Sequence, residues 1–217
     1  IIQGKEQSIV PMQKDKRRYL RWNQGHVFQE PGMQLIIPKG MLYEDVQLNS
    51  KVIKDSLDIS FDYQLHDAPV PLHAGCQLAI GVRNYPVSDM SKYYVARKHK
   101  GRKISVGGHF ENGYMYAQIR ELGTYSVALD TVAPRVIPMN KPQWKSGDIR
   151  FKIRDTETGI KDYKVYVDGK FVLFKYSSKD AMLSCKHPRR IKKGAPHRME
   201  VIVTDHCGNE FREEYQF

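Results

Sequence analysis

Apolar and polar residues alternate along most of this chain with the period of a β-strand. Residues 57–65, Leu-Asp-Ile-Ser-Phe-Asp-Tyr-Gln-Leu, place every second side chain on an apolar face and the others toward water. Shorter runs of the same kind occupy residues 33–37, 77–82, 92–97, 114–119, 149–153, 163–167, 171–176 and 199–203. Gly, Pro, Asn and Asp separate them, and no window carries apolar residues at helical spacing for three turns. The pattern predicts an all-β chain.

Turn chemistry adds two hairpins. Asn112-Gly113 lies between His109-Phe110 and Tyr114-Met115-Tyr116, and Asp168-Gly169 lies between residues 163–167 and 171–174. A tight two-residue turn needs positive φ at both central residues, and Asn-Gly and Asp-Gly supply it at low steric cost. Val106-Gly107-Gly108-His109 puts a glycine pair in a strand setting, which reads as a bulge or turn. Residues 123–129 read as the last strand of one unit, and Pro134, Pro138 and Pro142 punctuate an extended lead into the next. The expected organisation is two consecutive β-sandwich domains. Residues 1–129 form the first, and residues 130–217, with about seven candidate strands, form an immunoglobulin-like second. Residues 1–30 either pair with the first sandwich or end an upstream domain.

The 217 residues are 41% apolar, too many for a disordered chain, and no apolar run could cross a bilayer as a helix. The chain opens Ile1-Ile2-Gln3 with no initiator Met, which reads as a mature or trimmed piece of something longer. Its net charge is +11, with 17 basic against 12 acidic residues up to Leu129 and 18 against 12 from Asp130 onward. Two runs concentrate this charge. Arg97, Lys98, Lys100, Arg102 and Lys103 form one, and Arg189, Arg190, Lys192 and Lys193 the other. Both are candidate contacts for a polyanion, against the plain alternative of solvated loops. Neither run carries the interleaved aromatics of a nucleic-acid surface.

Catalytic constellations are missing from the sequence. No two of the eight histidines are spaced as His-x-His or His-x-x-x-His, and the nearest cluster is His66-Asp67 with His73. There is no Gly-x-Ser-x-Gly elbow and no phosphate-cradling loop. Cys207 beside His206, and the pairs Glu44-Asp45 and Glu213-Glu214, point to opposite faces if they lie on strands. Asp155, Glu157, Asp205 and Asn209 could gather at one end of the second sandwich as oxygen ligands, although their spacing matches no calcium loop. The three cysteines, Cys76, Cys185 and Cys207, cannot all pair; a Cys185–Cys207 bridge and buried thiols both stay open. A binding surface is the remaining option. Thirteen Tyr, eight Phe and two Trp exceed the needs of two small cores. Tyr85, Tyr93, Tyr114 and Tyr116 are the candidate sugar- or peptide-facing residues. Tyr93 and Tyr94 must face opposite ways, so at least one of that pair belongs to a core.

Several stretches carry a family resemblance. In the first half they are Ile37-Pro38-Lys39-Gly40-Met41-Leu42-Tyr43-Glu44-Asp45, Ala68-Pro69-Val70-Pro71-Leu72-His73 and Ile119-Arg120-Glu121-Leu122-Gly123-Thr124-Tyr125. In the second half they are Asp130-Thr131-Val132-Ala133-Pro134, Asp155-Thr156-Glu157-Thr158-Gly159-Ile160, the run from Val167 to Phe174, and Val203-Thr204-Asp205-His206-Cys207-Gly208-Asn209. Together, over about residues 28–217, they resemble the non-catalytic C-terminal region of lysostaphin-type (LytM-like) zinc metallopeptidases of Bacteroides-type bacteria. The second half alone is less specific, since its motifs recur in many bacterial immunoglobulin-like modules. The family's His-x-x-x-Asp and His-x-His are both missing here; only His26 and His206 have a carboxylate four residues on, and it is Glu. The resemblance therefore implies no catalytic or metal residue and no cofactor in this chain, with zinc held by a peptidase domain upstream.

By the same resemblance, the parent protein would cleave peptidoglycan cross-links, in the cell envelope or after secretion. This chain would be its accessory module, positioning the enzyme or binding cell-wall polymer, an envelope protein or its own peptidase domain. The alternative is a surface adhesion or glycan-binding module with no peptidase role.

Overall fold

In a computed structural model, residues 18–54, 58–186, 191–192 and 194–217 are described. Among the described residues, twelve strands precede Asp130. They are β1 (Tyr19–Leu20), β2 (His26–Glu30), β3 (Met33–Ile37), β4 (Val46–Gln47), β5 (Lys51–Ile53), β6 (Asp62–Gln64), β7 (Val70–Gly81), β8 (Tyr93–His99), β9 (Arg102–Gly107), β10 (His109–Glu111), β11 (Tyr114–Leu122) and β12 (Thr124–Leu129). Two five-stranded antiparallel sheets result, in the orders β10-β11-β7-β3-β2 and β5-β6-β12-β8-β9, with β1 and β4 paired beside them. Leu35, Leu78, Ile80, Met115 and Ile119 from the first sheet meet Tyr63, Tyr93, Val95, Tyr125 and Val127 from the second in one buried cluster. Each such aliphatic side chain contributes about 1.5–3 kcal/mol on burial, so the alternating pattern is what closes the sandwich.

The second half adds eight strands: β13 (Arg135–Pro138), β14 (Asp148–Arg154), β15 (Ile160–Val167), β16 (Lys170–Phe171), β17 (Lys175–Ser177), β18 (Met182–Lys186), β19 (Arg198–Asp205) and β20 (Glu210–Gln216). Their sheets run β13-β14-β18-β17 and β16-β15-β19-β20. This is the partition of an immunoglobulin-type sandwich, with β16 added at the edge of the second sheet. Trp144, on a short 3-10 turn between β13 and β14, is buried against Phe151, Tyr215 and Phe217. The all-β class and the immunoglobulin-like second sandwich agree with the sequence pattern. Residues 18–30 are part of the first sandwich, since β1 pairs with β4 and β2 with β3. An upstream origin for them is thereby corrected, while residues 1–17 lie outside the described part.

The long alternation over residues 57–65 does not make a nine-residue strand. Leu57 lies outside the described residues, and only Asp62–Gln64 is strand. Before it the backbone turns away: Asp58 O accepts from Asn84 Nδ2, and Ile59 O accepts from Arg83 N at 2.7 Å. Ser60 Oγ meanwhile receives the Val127 N–H at 2.7 Å. A side chain has replaced a ladder carbonyl there, a competition that serine is well placed to win. The predicted strand at 171–176 likewise splits into β16 and β17, which lie in different sheets.

Candidate functional site

The outer face of the sheet β10-β11-β7-β3-β2 is built by alternation. Met33, Leu35 and Ile37 of β3 point inward and are buried, so Gln34 and Ile36 point out. By the same parity β7 turns Gln77 and Ala79 outward, β11 turns out Tyr114, Tyr116 and Gln118, and β2 turns out Val27 and Gln29. Register then aligns these positions into rows. His109 faces Tyr116, Tyr116 faces Ala79, Ala79 faces Gln34 and Gln34 faces Gln29, a single line across all five strands. A second row runs Gln118, Gln77, Ile36, Val27. Within this protein of net charge +11, neither row contains Lys, Arg, Asp or Glu.

The rings on this face are close together. His109 stacks on Tyr116 with centroids 5.5 Å apart and planes 18° apart, and Tyr114 stands 6.4 Å from Tyr116. Two shallow depressions share Tyr116 as a wall. One, of about 260 Å³, has Ala79 and Gly32 in its lining, with Gln29, Gln34 and Tyr114 around them. The other, of about 270 Å³, is bounded by Gln77, Gln118 and His109. The glycine pair fixes Tyr116. β9 bulges at Val106, left unpaired between Ser105 and Gly107, and after Gly107 pairs with Val95 the chain crosses to the other sheet. Gly108 has φ +128, and a Cβ there would lie 2.6 Å from the Tyr116 carbonyl oxygen.

The tyrosines proposed from sequence divide. Tyr114 and Tyr116 share the outer face. Tyr85 is 48% exposed but packs at the end of the sandwich against Phe110 and Tyr93, with centroids 6.2 and 6.3 Å away. Tyr93 is corrected: at 2% exposure it belongs to the core, and its hydroxyl donates to Val87 O at 2.6 Å. Tyr94 faces the other way and is buried too, because the second sandwich covers it. Its hydroxyl donates to Glu157 at 2.8 Å. The glutamines at 29, 34, 77 and 118 escape a sequence reading centred on aromatics. The available signal is glutamine recurring at outward positions of strands whose inward positions are apolar.

The first basic run is the β8–β9 hairpin. Arg97 is paired with Glu121, and Lys98 Nζ lies 2.5 Å from Asp62 Oδ2, so these two are corrected from free polyanion contacts to internal ion pairs. Lys100, Arg102 and Lys103 remain exposed at its tip and along β9. Of the second run, Lys192 backs onto His197, and Arg189, Arg190 and Lys193 lie outside the described residues.

Carboxylates meet at the junction of the sandwiches. Asp130, Asp155 and Asp205 hold oxygen atoms within 4.8 Å of one another, and they are the one such cluster of potential metal ligands among the described residues. Donors surround them. Thr158 Oγ1 donates to Asp130 at 2.7 Å, Asn209 Nδ2 to Asp205 at 2.8 Å and to Asp130 O at 3.0 Å, and three backbone N–H groups cap Asp155 Oδ1. The motifs Asp-Thr-x-x-Pro, Asp-x-x-Thr-Gly and Thr-Asp-x-x-Gly-Asn are thus a hydrogen-bonded joint. Of the oxygen ligands considered from sequence, Glu157 is turned instead toward Tyr94. His66 and His73 do not act together: His66 bonds to Asp67 and Ala68, while His73 stacks on Tyr43. Cys207 is buried in the joint, its thiol pKa pushed up to about 11 by burial and by the charges of Asp130 and Asp205, and His206 is exposed.

No helix among the described residues is long and apolar enough to cross a membrane. Residues 17–130, just over half of the chain, match the family model described as a Zu5-like domain. No curated protein matches the chain.

Proposed function

The chain belongs to the Zu5-like domain family, and from that premise we propose that it is a non-catalytic binding module of the cell envelope, accessory to a peptidoglycan-cleaving zinc metallopeptidase. The observation that carries the binding role is the outer face of the first sandwich: one line of His109, Tyr116, Ala79, Gln34 and Gln29 across five strands. Aromatic rings and amides in rows free of Lys, Arg, Asp and Glu are a contact surface for another molecule, since stacking and hydrogen bonding are both available there without the cost of desolvating an ion, while Glu30, Glu111 and Arg120 lie around them. The metallopeptidase context rests on the resemblance over residues 28–217. On that reading the chemistry belongs to another part of the protein, since neither His-x-x-x-Asp nor His-x-His occurs in this sequence.

A joined pair of sandwiches suits an accessory role, and the hydrogen bonds among Asp130, Thr158, Asp205 and Asn209 tie the two together. Sedimentation of the 217-residue chain with purified peptidoglycan over a salt series tests the proposal. Retention that survives about 0.5 M salt, where exposed charges are screened within a few ångströms, supports wall binding. No retention, or retention lost by that salt, overturns it.

A further inference from the structure

We propose that the outer face of the sheet β10-β11-β7-β3-β2 binds an uncharged glycan chain, laid across the strands with Tyr116 as its stacking platform. This names a ligand class for the binding face described above and rests on that reading. A pyranose ring presents an apolar C–H face and a rim of hydroxyls, each able both to donate and to accept. The complement is an aromatic ring beside groups that also do both, and the glutamine amide is such a group. Here Tyr116 is flanked on one side by Gln34 and Gln29 and on the other by Gln77 and Gln118. None of these four amides makes a side-chain hydrogen bond to another described residue. The hydroxyls of Tyr63, Tyr93, Tyr94, Tyr125 and Tyr215 are all spent within the protein, whereas those of Tyr114 and Tyr116 are not.

The floor and the charge narrow the ligand further. Ala79 keeps the floor of the depression low, a Cβ on the neighbouring Gly81 would lie 3.4 Å from the Tyr114 ring, and Gly32 admits no side chain because a Cβ there would meet the Tyr63 hydroxyl at 2.7 Å. The two depressions, about 260 and 270 Å³, each have the size of a single sugar ring and meet at Tyr116, so successive rings of one chain fit on either side of it. Glu30, at the rim, is already held by Ser50 Oγ at 3.3 Å and by Arg18 at 3.7 Å. Neither row carries a lysine or arginine, and Arg120 lies exposed on β11 two positions past Gln118, so along the rows themselves the match is to a neutral chain.

Titration calorimetry on the intact 217-residue chain in about 0.5 M NaCl, with chitohexaose, cellohexaose and a heparin-derived hexasaccharide, tests this. At least one of the two neutral hexasaccharides is expected to bind, with an affinity unchanged on lowering the salt. Tyr116→Ala should weaken it at least about tenfold, and Gln34→Ala should weaken it measurably. Tyr43→Ala, at an exposed ring in the loop between β3 and β4, should leave it unchanged. Melting curves establish that each variant folds, and Gln34→Ala carries the test if Tyr116→Ala does not. Binding of neither neutral sugar, binding of the heparin fragment alone, or binding that survives both substitutions would overturn the inference. Sedimentation with peptidoglycan separates its failure from that of the broader reading: a Tyr116→Ala chain still retained at high salt keeps the binding module and removes the glycan face.

Discussion

Thr158 donates its hydroxyl hydrogen to Asp130 at 2.7 Å, and both side chains are buried between the sandwiches. Asp130 follows the last strand of the first sandwich, and Thr158 lies in the loop between β14 and β15 of the second, so this bond is part of what ties the two sandwiches together. Thr158→Val keeps the shape and removes the donor. A buried carboxylate that loses a hydrogen bond costs about 1–3 kcal/mol. Urea unfolding followed by the buried Trp144 should show that loss, and an unchanged midpoint would leave the bond without energetic weight.

Gly108 holds Tyr116 in position. Its φ of +128 and the 2.6 Å approach to the Tyr116 carbonyl leave no room for a side chain. Gly108→Ala should cost about 1–3 kcal/mol and shift Tyr116, which is seen as a changed environment for the stacked His109 ring in NMR spectra. A variant with native stability and an unmoved His109 signal would show that the strand crossing tolerates a Cβ.

The two hairpins are legible in the sequence because Asn112-Gly113 and Asp168-Gly169 adopt the positive φ values that only such pairs take cheaply. A third hairpin, at Lys100-Gly101 with φ 49 and 74, was not legible: lysine is no marker of that turn, and there the glycine and the sheet pairing decide. Alternation placed Tyr114 and Tyr116 on one face, since it is a property of one strand. It could not show that Ala79 and Gln34 continue their row, since register between strands is set by the whole core. Tyr93 and Tyr94 illustrate the same limit. Alternation put them on opposite faces, and it took a second domain packing on β8 and β12, over the small Ala96 and Ala128, to bury both.

The second sandwich carries a pH-dependent pair. His197 is buried with Nδ1 2.7 Å from Asp168 Oδ2. That bond, opposed by burial and aided by the hydrogen bond to the Lys192 backbone, raises the histidine above its ordinary 6.5. Asp168 is held below 3.8 by the Arg198 N–H first and by His197 second. A raised histidine stabilises fully below 6.5 and loses that contribution as pH rises through its folded value; a depressed carboxylate stabilises above 3.8 and loses it as pH falls below. The pair therefore works best between those limits. The wild type should melt higher at about pH 5.5 than at about pH 8.5, and His197→Gln should shrink the difference. An equal difference in both proteins would remove His197 as its source.

The cysteines give a chemical test of the fold. β18 and β19 lie in different sheets, Cys185 and Cys207 are free thiols, and burial raises the pKa of Cys76, Cys185 and Cys207 alike. With its thiol pKa at about 11, Cys207 is almost wholly protonated at neutral pH and a poor nucleophile. Ellman's reagent should therefore react slowly with Cys76 and Cys207 in the native chain and with all three thiols once it is unfolded. A single titratable thiol after unfolding would mean that two had been bridged.

Charge on the β8–β9 hairpin is unequal in what it can do. Arg97 and Lys98 are neutralised by Glu121 and Asp62, while Lys100, Arg102 and Lys103 face water. An anionic polymer gains from cations whose counterions it can release, and a lysine already committed to a carboxylate releases fewer. Lys100→Glu with Arg102→Glu should lower the salt at which the chain leaves a heparin column and flatten the salt dependence of binding. Arg97→Gln should leave that elution nearly unchanged and instead cost about 1 kcal/mol of stability, because it strands a half-buried Glu121. If Arg97→Gln weakened heparin binding as much as the double reversal, the ion pair with Glu121 would have to open on binding, and the hairpin rather than its tip would be the polyanion contact.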